Sequence, residues 1–291
     1  GQPVQLRTDL AIEAPGITAP QDGVSFSTTL YREARISRID ITDEKAAAQL
    51  ERPIGKYITV ELPPLSDNED DLENYATRIG GELSALLPEK GPVLVIGLGN
   101  RAITPDALGP EAAERVLATR HISGELARAM KLDGLRPTAV AVPGVLGQTG
   151  IETGEIVCGL CRTVKPSAVI AIDALAAGQV SRLGCTVQLC NTGIAPGSGV
   201  GNNRRALNRQ LLGVPVVGIG VPTVVDARSL AVELTGDYES EEAVSPRGAA
   251  MMVTPREIDL IIRRSAQLLA MTIHAALHPD YSPRELMDAA L

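Results

Sequence analysis

Hydrophobic positions fall into two kinds of run along this chain. Within 27–62, the stretches STTLYREARISRIDI and KYITVEL alternate apolar and polar residues. That period-two pattern predicts antiparallel strands with one wet face. Between them TDEKAAAQLE (42–51) is a short helix candidate, with Asp43 and Glu44 suited to its first turn. From residue 93 the apolar runs become nearly continuous: VLVIGLG (93–99), TAVAVPGV (138–145), AVIAIDAL (168–175), CTVQLC (185–190) and VPVVGIGVPTVV (214–225). Such runs predict strands covered on both faces. Amphipathic stretches separate them: 70–87 with an acidic start and Pro88 beyond its end, about 110–119, and TGIETGEIVCGLCRTV, where Thr149 and Glu152 spell a T-x-x-E capping box. A last helix begins near Pro255. The alternation predicts an α/β fold: a mostly parallel central sheet with helices on both faces, plus a small N-terminal antiparallel β appendage at about 27–62. Residues 1–25 read as an extended polar leader, and 237–249 as a charged surface connection.

Composition narrows the function. At 291 residues the chain can bury a full core. Aromatics are 2% with no Trp, so the core is built from Val, Ile, Leu and Ala, and stacking platforms for single-stranded nucleic acid are not expected. A net charge of −8 disfavours direct nucleic-acid binding and docking on anionic membranes. No apolar run approaches the ~20 residues that span a bilayer. The opening GQPVQLRTDLAIEAPG has no apolar signal core, so a cytoplasmic location is expected.

In open α/β sheets, ligands bind beyond the C-terminal ends of the strands. Two carboxylates fall there. In VIAIDALAAG, Asp173 directly follows an all-apolar run, where a carboxylate needs a specific partner. In GLGNRAITPDALGP (97–110), Asp106 sits in a Gly- and Pro-rich loop before a helix, where capping the helix is the simpler role. If both reach one water, they cannot both ionise freely. One then holds a proton while the other accepts one, which is equipment for amide hydrolysis without a covalent intermediate.

Other motifs are weaker. Gly97, Gly99 and Ala102 fit a relaxed G-x-G-x-x-A spacing, but Pro105 delays the helix that should receive a pyrophosphate. GSGVGNNR (197–204) is either an anion-binding nest or a turn with an Asn cap. Cys158, Cys161, Cys185 and Cys190 read as small hydrophobes, with a four-thiolate zinc site as the alternative. His274 and His278 are four apart without an H-E-x-x-H pattern, which favours core or surface roles.

The segments RTDLAIEA (7–14), GLGNRAITPDALGP, TRHI (119–122), VPGVLGQTGIET (142–153), VIAIDALAA (169–177), GIAPGSGVGNNR (193–204), GVPVVGIGVPTVVDA (213–227) and MVTPREID (252–259) together resemble the spore germination proteases. That resemblance implies an atypical aspartic endopeptidase acting on small acid-soluble spore proteins in the spore core. Its two implicated aspartates fall on Asp106 and Asp173, without cofactor or metal. It also implies a fold similar to the hydrogenase maturation proteases, assembly as a homotetramer, and a zymogen cut between Asp9 and Leu10. On this reading 1–9 is a propeptide and 10–291 a single peptidase domain. Gly97, Gly99, Asn100, Gly144, Gly197 and Gly199 form the supporting loops. The segment between Asp226 and Met252 is shorter than the family pattern. Two other readings stand beside this one. One is a metal-dependent maturation-type protease using the same loops; the other is a non-enzymatic module holding a small anion.

Overall fold

Nine strands form one mixed sheet in the structure, a computed structural model that describes residues 7–17, 20–67, 71–122, 124–196, 205–236 and 244–291. They are β1 (Val24–Tyr31), β2 (Ala34–Ile41), β3 (Gly55–Glu61), β4 (Val93–Gly97), β5 (Thr138–Ala141), β6 (Ala168–Ala177), β7 (Thr186–Cys190), β8 (Val216–Asp226) and β9 (Met252–Val253). The order is β1-β2-β3-β7-β8-β6-β4-β5, with the short β9 paired to β8. β8, β6, β4 and β5 run parallel, as their continuous apolar runs predict. β1, β2, β3 and β7 are antiparallel and join β8, so the appendage continues the central sheet rather than standing apart from it.

The helices are α1 (Glu44–Leu50), α2 (Leu72–Ala85), α3 (Leu108–Ala113), α4 (Thr153–Val164), α5 (Ala227–Thr235), α6 (Ile258–Leu277) and α7 (Pro283–Ala290), with short helical turns between some of them. Alternate β-strand positions face opposite sides. Ile170, Ile172, Val217 and Ile219 therefore meet α2, α3 and α6, while Val169, Ala171 and Val216 meet Val157 and Cys161 of α4. The α6 face contributes Leu268, Leu269, Met271 and Ile273, each fully buried. At about 1.5–3 kcal/mol per buried large apolar side chain, this layer dominates the stability of the sheet.

Several elements depart from the sequence pattern. The helix expected over 110–119 occupies only Leu108–Ala113. The T-x-x-E box is not used. Thr149 closes its own turn, Leu146–Thr149, with its hydroxyl on the Val145 and Ile151 carbonyls, and α4 begins at Thr153. The leader is docked: Leu10, Ala11 and Ile17 are at most 1% exposed. A C-terminal helix, α7, packs on α6; Ser282 caps it by accepting the Glu285 N–H, with Pro283 at its first position.

His274 and His278 are core residues. His274 Nε2 accepts the Leu117 N–H at 2.9 Å, and its Nδ1–H donates to the Pro283 carbonyl at 3.2 Å. His278 Nδ1 accepts the Arg136 N–H at 3.2 Å. Burial pushes both imidazoles down to about 4. The cysteines do not converge: Cys158 and Cys161 lie on α4, Cys185 reaches the Ser181 carbonyl, and Cys190 sits on β7 with its thiol pushed up by burial. Among the described residues, no three His, Cys, Asp or Glu side chains gather as a metal group. Among the described residues, no helix is long and apolar enough to cross a membrane.

Candidate active site

β4 stops at Gly97, opposite Ile172, but β6 runs on to Ala177 against β8. Asp173 is therefore the first β6 residue beyond the end of its neighbour, at mid-strand rather than at the strand's end as the sequence pattern had it. Small residues and a register shift at Leu175/Ala176 let β6 continue beside β8. Asp173 is 3% exposed, and Oδ1 accepts the Ala174 N–H at 2.9 Å. A buried carboxylate fixed by a backbone donor is held in one orientation.

The loop after β4 brings Asp106 to the same edge. Leu98 N–H donates to the Ile172 carbonyl at 2.8 Å, tying the loop's start to the residue before Asp173. The turn Thr104–Asp106 then packs against β6 and β8, and Thr223 Oγ1 donates to the Pro105 carbonyl at 2.7 Å. Asp106 Oδ2 accepts the Asn100 N–H at 2.8 Å, so its carboxylate closes its own loop. Gly99 has φ +121°, and a Cβ there would overlap the Asp106 carbonyl oxygen, so only glycine fits. Asn100 Oδ1 accepts from Ala102 N–H and from Gln148 Nε2, which joins the turn after Gly144 to this loop. Gly97, Gly99, Asn100 and Gly144 thus lie around the two aspartate loops, whereas Gly197 and Gly199 lie outside the described residues.

Across the sheet, Asp173, Gly220 and Gln188 form one row: Gly220 pairs with Asp173 in β6 and with Gln188 in β7. Directly opposed residues share a face, so Asp173 and Gln188 flank a position that has no side chain. The resulting trough is lined by Gly218, Gly220, Leu175, Gln188 and Asp9.

Asp9 and Leu10 cross this trough. The Asp9 N–H donates to the Ala176 carbonyl at 2.9 Å, and Asp9 Oδ2 accepts the Ala176 N–H at 2.7 Å. Leu10 is fully buried beside Leu175, Ala177 and Val225. Gln188 brackets the segment: Nε2 donates to the Asp9 carbonyl at 2.9 Å, and Oε1 accepts the Ala11 N–H at 2.7 Å. Arg52 Nη2 holds the Thr8 carbonyl at 2.6 Å. Glu13 anchors the far end on the Gly178 and Gln179 N–H groups and beside Arg182. Gln188, Arg52 and Arg182 carry no sequence signal, because each matters only through the docked leader.

A family model described as Germination protease matches residues 13–238. The germination protease of Caldanaerobacter subterraneus subsp. tengcongensis is 39% identical, over 97% of this chain and 97% of its own. Those of Clostridium perfringens and Priestia megaterium are 36% and 33% identical; the matches cover 94% of this chain in both cases, and 96% and 94% of the relatives. Among solved structures, the [NiFe] hydrogenase maturation protease HycI from Thermococcus kodakarensis aligns with a TM-score of 0.39 at 18% identity, over 67% of this chain and 98% of that one.

Proposed function

Because the chain belongs to the germination protease family and is a protease by that membership, we propose that it is an aspartic-type endopeptidase that cleaves small acid-soluble spore proteins during germination. On this reading it is made as a zymogen that first cuts itself between Asp9 and Leu10. Asp106 and Asp173 share one proton. The ionised member takes a proton from water as the water attacks the peptide carbonyl, and the protonated member donates to the departing nitrogen. The products are a new carboxyl on Asp9 and a new amine on Leu10, with no covalent intermediate. The pair titrates as a unit, so acid and base are not assigned to individual residues. Assembly as a homotetramer in the spore core is part of the same proposal.

One observation supports it above the others. The residue before the expected scissile bond, Asp9, lines the trough and is hydrogen-bonded to Ala176, three positions beyond Asp173 on the same strand. A leader that merely solvated the surface would not bury Leu10 completely. Mass spectrometry of the purified chain over hours tests the reading: residues 1–9 should be lost and no others. A wild-type chain that cuts elsewhere, or cuts no spore protein, overturns it.

A further inference from the structure

Gln188 is a polar side chain only 6% exposed on a buried strand, flanked by Val187 and Leu189 at 0%. Burying an amide costs unless its hydrogen bonds are made, and here neither bond is to the sheet. Both go to the leader: Nε2 to the Asp9 carbonyl at 2.9 Å and Oε1 to the Ala11 N–H at 2.7 Å. The two contacts straddle Leu10: one is to the carbonyl of the peptide bond expected to break, the other to the N–H of the next peptide. Its donor touches the one oxygen on which negative charge develops when water adds to that bond.

We infer that Gln188 is a catalytic residue of self-processing, whose Nε2–H polarises the Asp9 carbonyl and stabilises the oxyanion while Oε1 fixes the register of the peptide through the Ala11 N–H. The inference rests on cleavage at Asp9–Leu10. Three features make the assignment geometrically coherent. Gln188 and Asp173 occupy one row of the sheet on the same face, separated by Gly220. A side chain at 220 would stand between them, and a Cβ there already lies 2.8 Å from Leu175 Cγ. The peptide is held independently at Ala176, Arg52 and Glu13, so the Gln188 donor meets a carbonyl already in place.

Two variants separate chemistry from docking. Gln188→Met removes donor and acceptor at similar length, while Gln188→Glu keeps an acceptor for Ala11 and removes the donor. Processing is followed by mass spectrometry on the full-length chain, and docking by hydrogen-exchange protection of the Leu10 and Ala11 amides. Both variants should process about 100-fold or more slowly, in line with loss of one oxyanion donor, and Gln188→Glu should keep Ala11 protected. Processing at the wild-type rate in either variant overturns the inference. So does a slowing no larger than the accompanying loss of protection, which would leave Gln188 a docking residue alone. Failure of the underlying reading is a different result: a wild-type chain that does not cut at Asp9–Leu10.

Discussion

Asp9 and Ala176 bond twice, backbone N–H to carbonyl in one direction and backbone N–H to carboxylate in the other. The acidic side chain of the leader is thus read by the strand that carries Asp173. Removing the carboxylate strands the Ala176 N–H at a buried position, at a cost of about 1–3 kcal/mol. Asp9→Ala should therefore slow loss of residues 1–9 by about 10- to 100-fold, on the rule that ~1.4 kcal/mol is a factor of ten. Asp9→Asn, which keeps an acceptor, should slow it less. Equal rates for Asp9→Ala and wild type, measured by mass spectrometry, would contradict this.

The two aspartates are expected to act together. Asp106→Asn and Asp173→Asn should each reduce self-processing and spore-protein cleavage by more than about 10³-fold, within the range proton transfer supplies. Asp173→Asn keeps an oxygen for the Ala174 N–H, so the fold should survive. Asp106→Asn likewise keeps an acceptor for Asn100. Thermal unfolding that matches wild type alongside full inactivity is the expected pair of results. Full activity in either variant would remove that residue from the chemistry.

The elements were legible where physics acts locally. Continuous Val/Ile runs gave the parallel half of the sheet and alternation gave the strands β1 to β3, although Tyr57–Val60 of β3 are buried on both faces where the alternation predicts one wet face. Asp173 stood out as a charge among Val169–Ile172 at 0% exposure. The docked leader was not legible. RTDLAIEA is half polar with no strong periodicity, and three of its partners, Ala176, Gln188 and Arg182, are at least 160 residues away. The length of β6 was also hidden, since Ala174–Ala177 carry no strong strand preference and are held by β8 through a register shift. Helix α7 carried a usable signal, Ser282-Pro283 followed by Glu285, which is a cap and a first-turn proline.

Gly220 is a steric requirement of the site. A Cβ at this position would overlap the Asp173 carbonyl oxygen and crowd Leu175. Overpacking against backbone costs about 1–3 kcal/mol. Gly220→Ala should lower the melting temperature and slow processing at least tenfold, because the displaced atoms belong to Asp173 itself. Gly81→Ala, on α2 with no atom near its added methyl, is the matched control and should be neutral or slightly stabilising. Unaltered processing in Gly220→Ala would show that the trough tolerates a side chain.

His274 and His278 give the fold an acid limit. Burial lowers both from 6.5 to about 4. The unfolded chain therefore takes up protons on these rings below about pH 6.5, while the folded chain does not until about pH 4. Their contribution to stability is complete above pH 6.5 and is lost as pH falls from 6.5 to about 4. At ~1.4 kcal/mol per pH decade for each ring, the loss by pH 5 is on the order of 2 kcal/mol per histidine. His274→Gln places an acceptor near Nε2, toward the Leu117 N–H, and His278→Asn places one near Nδ1, toward the Arg136 N–H. Both should be less stable than wild type at pH 7.5 yet lose less stability between pH 7.5 and pH 5 in urea unfolding. Glu82, whose carboxyl is held low despite desolvation by hydrogen bonds from Arg38 and Arg78, also weakens as pH falls, but equally in all three chains. The difference in slope therefore isolates the histidines. Identical slopes for wild type and both variants would mean that the rings already titrate normally in the folded chain.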